Sequence, residues 1–253
     1  MRYFAHIQYR GGKYAGWQRQ PNANSVQSEC EHALSTIFRE EISIMGCGRT
    51  DAGVHAKDFY FHFDTNFSTP ALQINRLNGF LPKDIVILGI YKVGEEAHAR
   101  FDANYRAYEY HLSFKKDPFL SDLIWQVPLG GANIDREQLN KVAELIKEHD
   151  TFFPFCKTNH DAHTLKCTIF ESHWEELEND QMVYNIAANR FLRGMVRLIV
   201  GCSIRVATGK ISLEEIQDAL KHQTRIHNAY SAPAQGLFLT KVKYPDSVGL
   251  PLT

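Results

Sequence analysis

The succession of strand-like and helix-like segments along the chain predicts an α+β fold built from two related sheet-and-helix units. Three observations carry that prediction. Period-two alternation recurs from end to end, capped segments with helical spacing separate the alternating ones, and the second half passes through the same kinds of element as the first. The boundary falls near residue 104, giving an N-terminal unit 1–104 and a C-terminal unit 105–253. With 253 residues, 44% of them hydrophobic, the chain has apolar surface for a substantial core, and no Gly/Ser, Gln/Asn or Pro-rich tract interrupts it.

In residues 2–9, Tyr3, Ala5, Ile7 and Tyr9 alternate with Arg2, Phe4, His6 and Gln8, the pattern of a strand. A glycine-bearing loop, 11–17, follows. Asn24 with Gln27 three residues later reads as the cap of a helix over 25–40, where Val26, Cys30, Ala33, Leu34 and Ile37 recur at helical spacing. Residues 42–45 form a short apolar strand. Phe59, Phe61 and Phe63 then alternate with Tyr60, His62 and Asp64, and Thr69-Pro70 opens a second helix with proline at its favoured first position. Segments 84–93 and 105–114 read as strands. In the second half, Asp135 and Gln138 open a helix, strands are expected near 167–176 and 181–189, and helices over about 190–206 and from Ser212 with Glu215. Gly236-Leu237-Phe238-Leu239-Thr240-Lys241-Val242 reads as the last strand.

The opening MRYFAHIQYR alternates too strictly for a signal peptide, and no apolar run approaches the roughly 20 residues that span a bilayer, so a cytoplasmic location without membrane contact is expected. Cys30, Cys47, Cys156, Cys167 and Cys202 are odd in number with no C-x-x-C pair, which argues against a disulfide framework or a thiolate zinc site and for reduced, packed thiols. The 28 Lys and Arg against 29 Asp and Glu leave no general basic excess, so any surface for nucleic acid must be local.

Chemistry concentrates in Gly48-Arg49-Thr50-Asp51-Ala52-Gly53-Val54-His55, where a cation, a hydroxyl, a carboxylate and an imidazole fall within eight residues between two predicted strands. A carboxylate there can serve as nucleophile or base, with Arg49 favouring its ionised form, and an aspartate there can equally cap a turn. Arg190, Arg193 and Arg197 fall at i, i+3 and i+7 of the predicted 190–206 helix, with Gly194 and Gly201 on the same side. That face suits phosphates, or is simply solvated. Asn159-His160-Asp161-Ala162-His163 offers two imidazoles and a carboxylate, and reads as a solvated loop in preference to a metal site.

Gly48-Arg49-Thr50-Asp51-Ala52-Gly53-Val54-His55-Ala56 resembles the catalytic signature of the TruA family of tRNA pseudouridine synthases. Companion blocks follow the family's order: the opening strand with Tyr9, Tyr14-x-Gly16-Trp17-Gln18-Arg19-Gln20, Arg100-Phe101-Asp102-Ala103 to Tyr110, Asn189 to Gly201, and Ala232-Pro233-Ala234-Gln235-Gly236-Leu237. The resemblance implies a pseudouridine synthase fold whose units share a mainly antiparallel mixed sheet with a central active-site cleft. It also implies an isomerase acting on uridines 38 to 40 of the tRNA anticodon stem-loop. Such an enzyme breaks the N-glycosidic bond, turns the uracil and rejoins its C5 to the ribose, so no cofactor and no metal is implied. By the same resemblance Asp51 is the catalytic carboxylate, as nucleophile or base, and Arg49 pairs with it and holds the nucleotide. Tyr108 stacks on the target base, Arg197 is an active-site arginine and Leu237 lines the pocket. On residue pattern alone Tyr108 and Leu237 also suit ordinary sheet positions. Arg190, Arg193 and Lys13 are expected RNA contacts, and the family implies a homodimer whose paired surfaces bind tRNA. Two other readings stand beside this one: a non-catalytic module of the same fold that binds structured RNA, and a metallohydrolase using Asp51 with His160 and His163.

Overall fold

A computed structural model describes residues 1–128, 133–157 and 164–250, in two compact units. One comprises Met1–Arg106 with the chain from Phe238 onward, and the other comprises Ala107–Leu237. Each has the α+β character that the sequence predicts.

In the first unit β1 (Arg2–Tyr9) lies between β4 (Ile85–Lys92) and β3 (His55–Asp64), antiparallel to both. The short β2 (Ile44–Gly46) adds antiparallel to β3, and β9 (Leu237–Lys243) runs parallel to β3 with His55 opposite Phe238. The sheet is therefore mixed and mostly antiparallel. Alternation on β1 and β3 sends Tyr3, Ile7, Phe59 and Phe63 to one face, which α1 (Val26–Phe38) helps to cover. Phe38 stacks on Phe63 at 6.2 Å, and Trp17 from the β1–α1 connection lies 4.2 Å from Phe59. The other face also closes over. Phe4 meets the edge of Tyr244 at 5.3 Å, and His6 Nε2 lies 2.7 Å from Asp58 Oδ1.

The cap of α1 is one residue later than expected. Ser25, extended at φ −136°, accepts from the Ser28 N–H, and the Ser28 hydroxyl accepts in return from the Ser25 N–H. The Gln27 side chain turns instead to Glu31 and the Ile44 carbonyl. Pro70 opens a 3-10 turn, Pro70–Gln73, that continues into α2 (Ile74–Phe80).

In the second unit the strand order is β5 (Tyr105–Ser113), β8 (Gln181–Ala188), β7 (Ile169–Glu176), with a two-residue β6 (Trp125–Gln126) parallel to β5. β7 and β8 are antiparallel. α3 (Arg136–Glu148) packs on β7, where the Ser172 hydroxyl donates to Ala143 O at 2.8 Å and Asn140 accepts from Trp174 N–H. Asp135 caps α3, accepting from the N–H groups of Glu137 and Gln138, and Ser212 caps α5 (Leu213–His222), accepting from Glu215. Leu139, Val142, Ile146, Tyr184, Ile216 and Leu220 are fully buried.

The helix expected over 190–206 is shorter. α4 spans Met195–Ala207, because Gly194 takes a left-handed conformation at φ 71° that helical backbone does not use. Arg190 and Arg193 thus precede the helix, and the three arginines do not form one helical face. Gly201 serves a different purpose from the phosphate approach its spacing suggested. A Cβ there would collide with the Tyr230 carbonyl, so its bare backbone admits the chain at 230–232.

Candidate active site

The loop 47–54 joins β2 to β3 and is tied down along its length. Cys47 N–H donates to Tyr60 O at 2.7 Å, and Arg106 Nη2 donates to Cys47 O at 2.8 Å. The same guanidinium donates to Ala103 O and Arg100 O, each at 2.9 Å, so one planar fork joins the root of the loop to the segment before β5. Thr50 is buried, its hydroxyl 2.9 Å from the Tyr9 hydroxyl and its carbonyl accepting from Trp17 N–H at 3.2 Å. Gly16, at φ 96°, passes so near that a Cβ would stand 2.5 Å from Thr50 O.

Asp51 itself lies half-buried at the head of a turn in which its carbonyl accepts from Val54 N–H at 3.1 Å. Gly53, at φ 82°, completes the turn and donates to Tyr14 O. His55 is buried, its Nδ1 accepting from Gly11 N–H at 3.1 Å and its ring stacked on Phe238 at 4.6 Å. An accepting Nδ1 places the proton of the neutral imidazole on Nε2. Backbone and buried side chains from 9–17 therefore hold the turn that carries Asp51, while Arg49 beside it is exposed. Lys13, in the 3-10 turn Gly11–Lys13, lies 3.4 Å from Asp84.

The remaining predicted residues belong to the second unit. Tyr108 on β5 is half-buried, with the Phe191 ring edge-on at 5.1 Å and 88°. Tyr110, on the same face, is fully buried and donates to Pro233 O at 2.8 Å, and burial pushes its phenol far above the ordinary range. Arg197 on α4 donates from Nε to Ala232 O at 2.7 Å, and Ala232 N–H donates back to Arg197 O at 2.9 Å. Arg190 is half-buried. Arg193 is exposed, with its carbonyl accepting from Lys157 N–H at 3.3 Å. Leu237 is buried at the start of β9.

Arg106 and Phe191 are supporting residues that sequence reasoning did not single out, whereas Tyr9 belongs to the opening strand that the family resemblance includes. The signal of the first two was faint: Arg106 stands two places before Tyr108, but the acceptor that ties it to the loop, Cys47 O, is 59 positions away. The segment Asn159-His160-Asp161-Ala162-His163 lies outside the described residues. Among the described residues no group of three or more His, Cys, Asp or Glu side chains could hold a metal ion, and no helix is long and apolar enough to cross a membrane. All five cysteines are free and buried. Burial pushes Cys47, at the root of the loop, up to about 12, which leaves it protonated and unreactive at neutral pH.

A sequence model of the tRNA pseudouridine synthase family matches residues 142–245, the stretch that includes Arg190, Arg197 and Leu237. The tRNA pseudouridine synthase A of Porphyromonas gingivalis is 43% identical over 253 residues, spanning 98% of this chain and 99% of its own length. That of Parabacteroides distasonis is 39% identical over 98% of this chain and 97% of its own, and that of Dictyoglomus turgidum 38% identical over 94% and 97%. At these coverages the matches span both units. The chain therefore belongs to the tRNA pseudouridine synthase A family, the TruA isomerases of tRNA.

Proposed function

We propose that this enzyme converts uridines 38 to 40 of the tRNA anticodon stem-loop to pseudouridine, with Asp51 as the catalytic carboxylate. The observation that carries the reading is the family signature around Asp51, borne on a turn that Thr50, Gly53 and His55 pin from both sides. A carboxylate held in this way needs little reorganisation to meet a reacting atom.

The reaction exchanges a carbon–nitrogen for a carbon–carbon bond and moves one proton from C5 to N1 of the uracil. All atoms come from the substrate, so the proposed chemistry draws on no metal or cofactor. Asp51 acts in its ionised form, either attacking the ribose or removing a proton from it. Arg49 pairs with that carboxylate and with the nucleotide, favouring the charged state. Tyr108 stacks on the extruded base. Base–aromatic stacking contributes about 1–3 kcal/mol, which offsets much of the few kcal/mol needed to flip a nucleotide. The Phe191 edge against Tyr108 restrains its ring and supports that role. Arg197, oriented through Nε by Ala232 O, contacts the substrate, and Leu237 packs against the uracil. Arg190, Arg193 and Lys13 add RNA contacts. A cytoplasmic homodimer completes the proposal.

The test compares wild type with Asp51→Ala and Asp51→Asn on an unmodified tRNA transcript. Both variants are expected to bind the transcript and form no detectable pseudouridine. A normal rate in either one overturns the assignment of Asp51.

A further inference from the structure

At the end of the first unit's sheet where β1 leaves and β3 and β4 begin, there is an open cavity of about 260 Å³. Arg10, Lys57 and Lys83 line it, all exposed, against a single carboxylate, Asp84. Asp84 is already engaged, accepting from the Tyr14 hydroxyl at 2.5 Å and lying 3.4 Å from the Lys13 ammonium. The floor includes the half-buried Phe238 ring, stacked on His55, with Lys57 Nζ 5.2 Å from its centroid. His55 and Ala56 end the signature segment that begins at Gly48, and both line the groove, so it adjoins the Asp51 turn along the chain.

Cations gathered beside an aromatic floor in a chain of formal net charge −1 are a local feature and not a consequence of composition. Enclosed small-molecule sites occupy about 300–1,000 Å³, so an open groove below that range is better matched to a passing strand than to an engulfed metabolite. Single-stranded nucleic acid asks for this combination: positive charge along its backbone and an apolar ring within reach.

We propose that Arg10, Lys57 and Lys83 bind phosphates of the RNA strand that continues away from the target nucleotide, with Phe238 as the floor of the track. The inference rests on the tRNA substrate of the family and not on the chemical role of Asp51.

The experiment uses the full chain carrying Asp51→Ala, so that binding is read without turnover, and measures the Kd of a labelled tRNA transcript across a series of KCl concentrations. Arg10→Ala, Lys57→Ala and Lys83→Ala are added singly and together. Lys92→Ala, which removes the same charge at the opposite end of β4, is the control. The slope of log Kd against log salt is expected to become shallower by about 0.7 for each groove cation removed, and by about 2 for the triple variant, while Lys92→Ala keeps the parental slope. These side chains are exposed, and urea midpoints verify that each variant is folded. A triple variant with parental slope and affinity overturns the groove alone. So does a Lys92→Ala protein that flattens the slope as much as a groove variant. A parent that binds no tRNA overturns the substrate and the groove together.

Discussion

Thr50 shows how the catalytic aspartate of the proposal is kept in place by residues that do no chemistry. Its hydroxyl meets Tyr9, its carbonyl meets Trp17 N–H, and Gly16 lies against it so closely that no side chain fits between. Gly16→Ala places a Cβ 2.5 Å from Thr50 O, at φ 96° where L-residues are strained. The substitution is expected to cost about 1–3 kcal/mol of stability and to push the Thr50–Ala52 backbone outward. Turnover of tRNA should fall more than tRNA affinity, because the displaced backbone carries Asp51. A variant with wild-type kcat would show that the turn tolerates displacement. The loop that carries Asp51 stands out in the sequence because the residues of the signature are contiguous in the chain. The contacts that hold it do not, since Tyr9 is 41 positions from Thr50 and Arg106 is 59 from Cys47, and no local pattern reports such pairings.

Elements were legible where one pattern governs a whole segment. The alternation of β1, the helical spacing of α1 and the caps at Asp135 and Ser212 all appear in the structure as the sequence predicts. Boundaries were less so. Asn24 and Ser25 are each followed three residues on by a polar side chain, Gln27 and Ser28, but only Ser25 bonds its counterpart and closes the capping box, while Asn24 reaches Ser28 and Glu29. β6 is two residues long, too short for any periodicity to register. The arginine stripe failed because periodicity cannot say where a helix begins, and the left-handed Gly194 begins α4 after Arg193. Gly201, placed on that stripe by spacing, is a packing device: Arg197 and Ala232 exchange hydrogen bonds across the close approach that it permits. Gly201→Ala gains helix propensity of about 1 kcal/mol but forces a methyl group into the Tyr230 carbonyl. Overpacking against backbone costs about 1–3 kcal/mol, and here the upper part of that range applies because the obstacle is not a flexible side chain. The urea midpoint is expected to fall. A midpoint at or above wild type would mean that the chain at 230–232 moves aside freely.

For the molecule as a whole, the α+β class and the order of the family blocks were readable from the sequence, while the parallel pairing of β9 with β3 was not, since it joins residues as distant as His55 and Phe238. Stability against pH is the property in which such non-local packing becomes measurable. His62 on β3 is 8% exposed, accepts from Ala99 N–H through Nδ1 at 3.1 Å, and meets the His98 ring at 4.6 Å. Burial, with the charges of His98 and Arg2, lowers its pKa from 6.5 to about 4. The unfolded chain therefore takes up this proton near pH 6.5 and the folded chain only near pH 4, so between those values the unfolded state binds more protons and stability rises with pH. His62 contributes fully above pH 6.5, and its contribution is lost progressively as pH falls toward 4. His98, also lowered by burial, acts in the same direction. Asp64, held below its ordinary value of 3.8 by Arg2, loses its contribution only at more acid pH, so the upper window belongs to the histidines. His62→Asn retains an acceptor for Ala99 N–H and removes the titration. Urea midpoints measured from pH 7 down to pH 4.5 should fall more steeply for wild type than for this variant. If the two units unfold in separate steps, the difference belongs to the step of the first unit, which holds His62. Identical pH profiles for the two proteins would remove His62 as the source of the acid sensitivity.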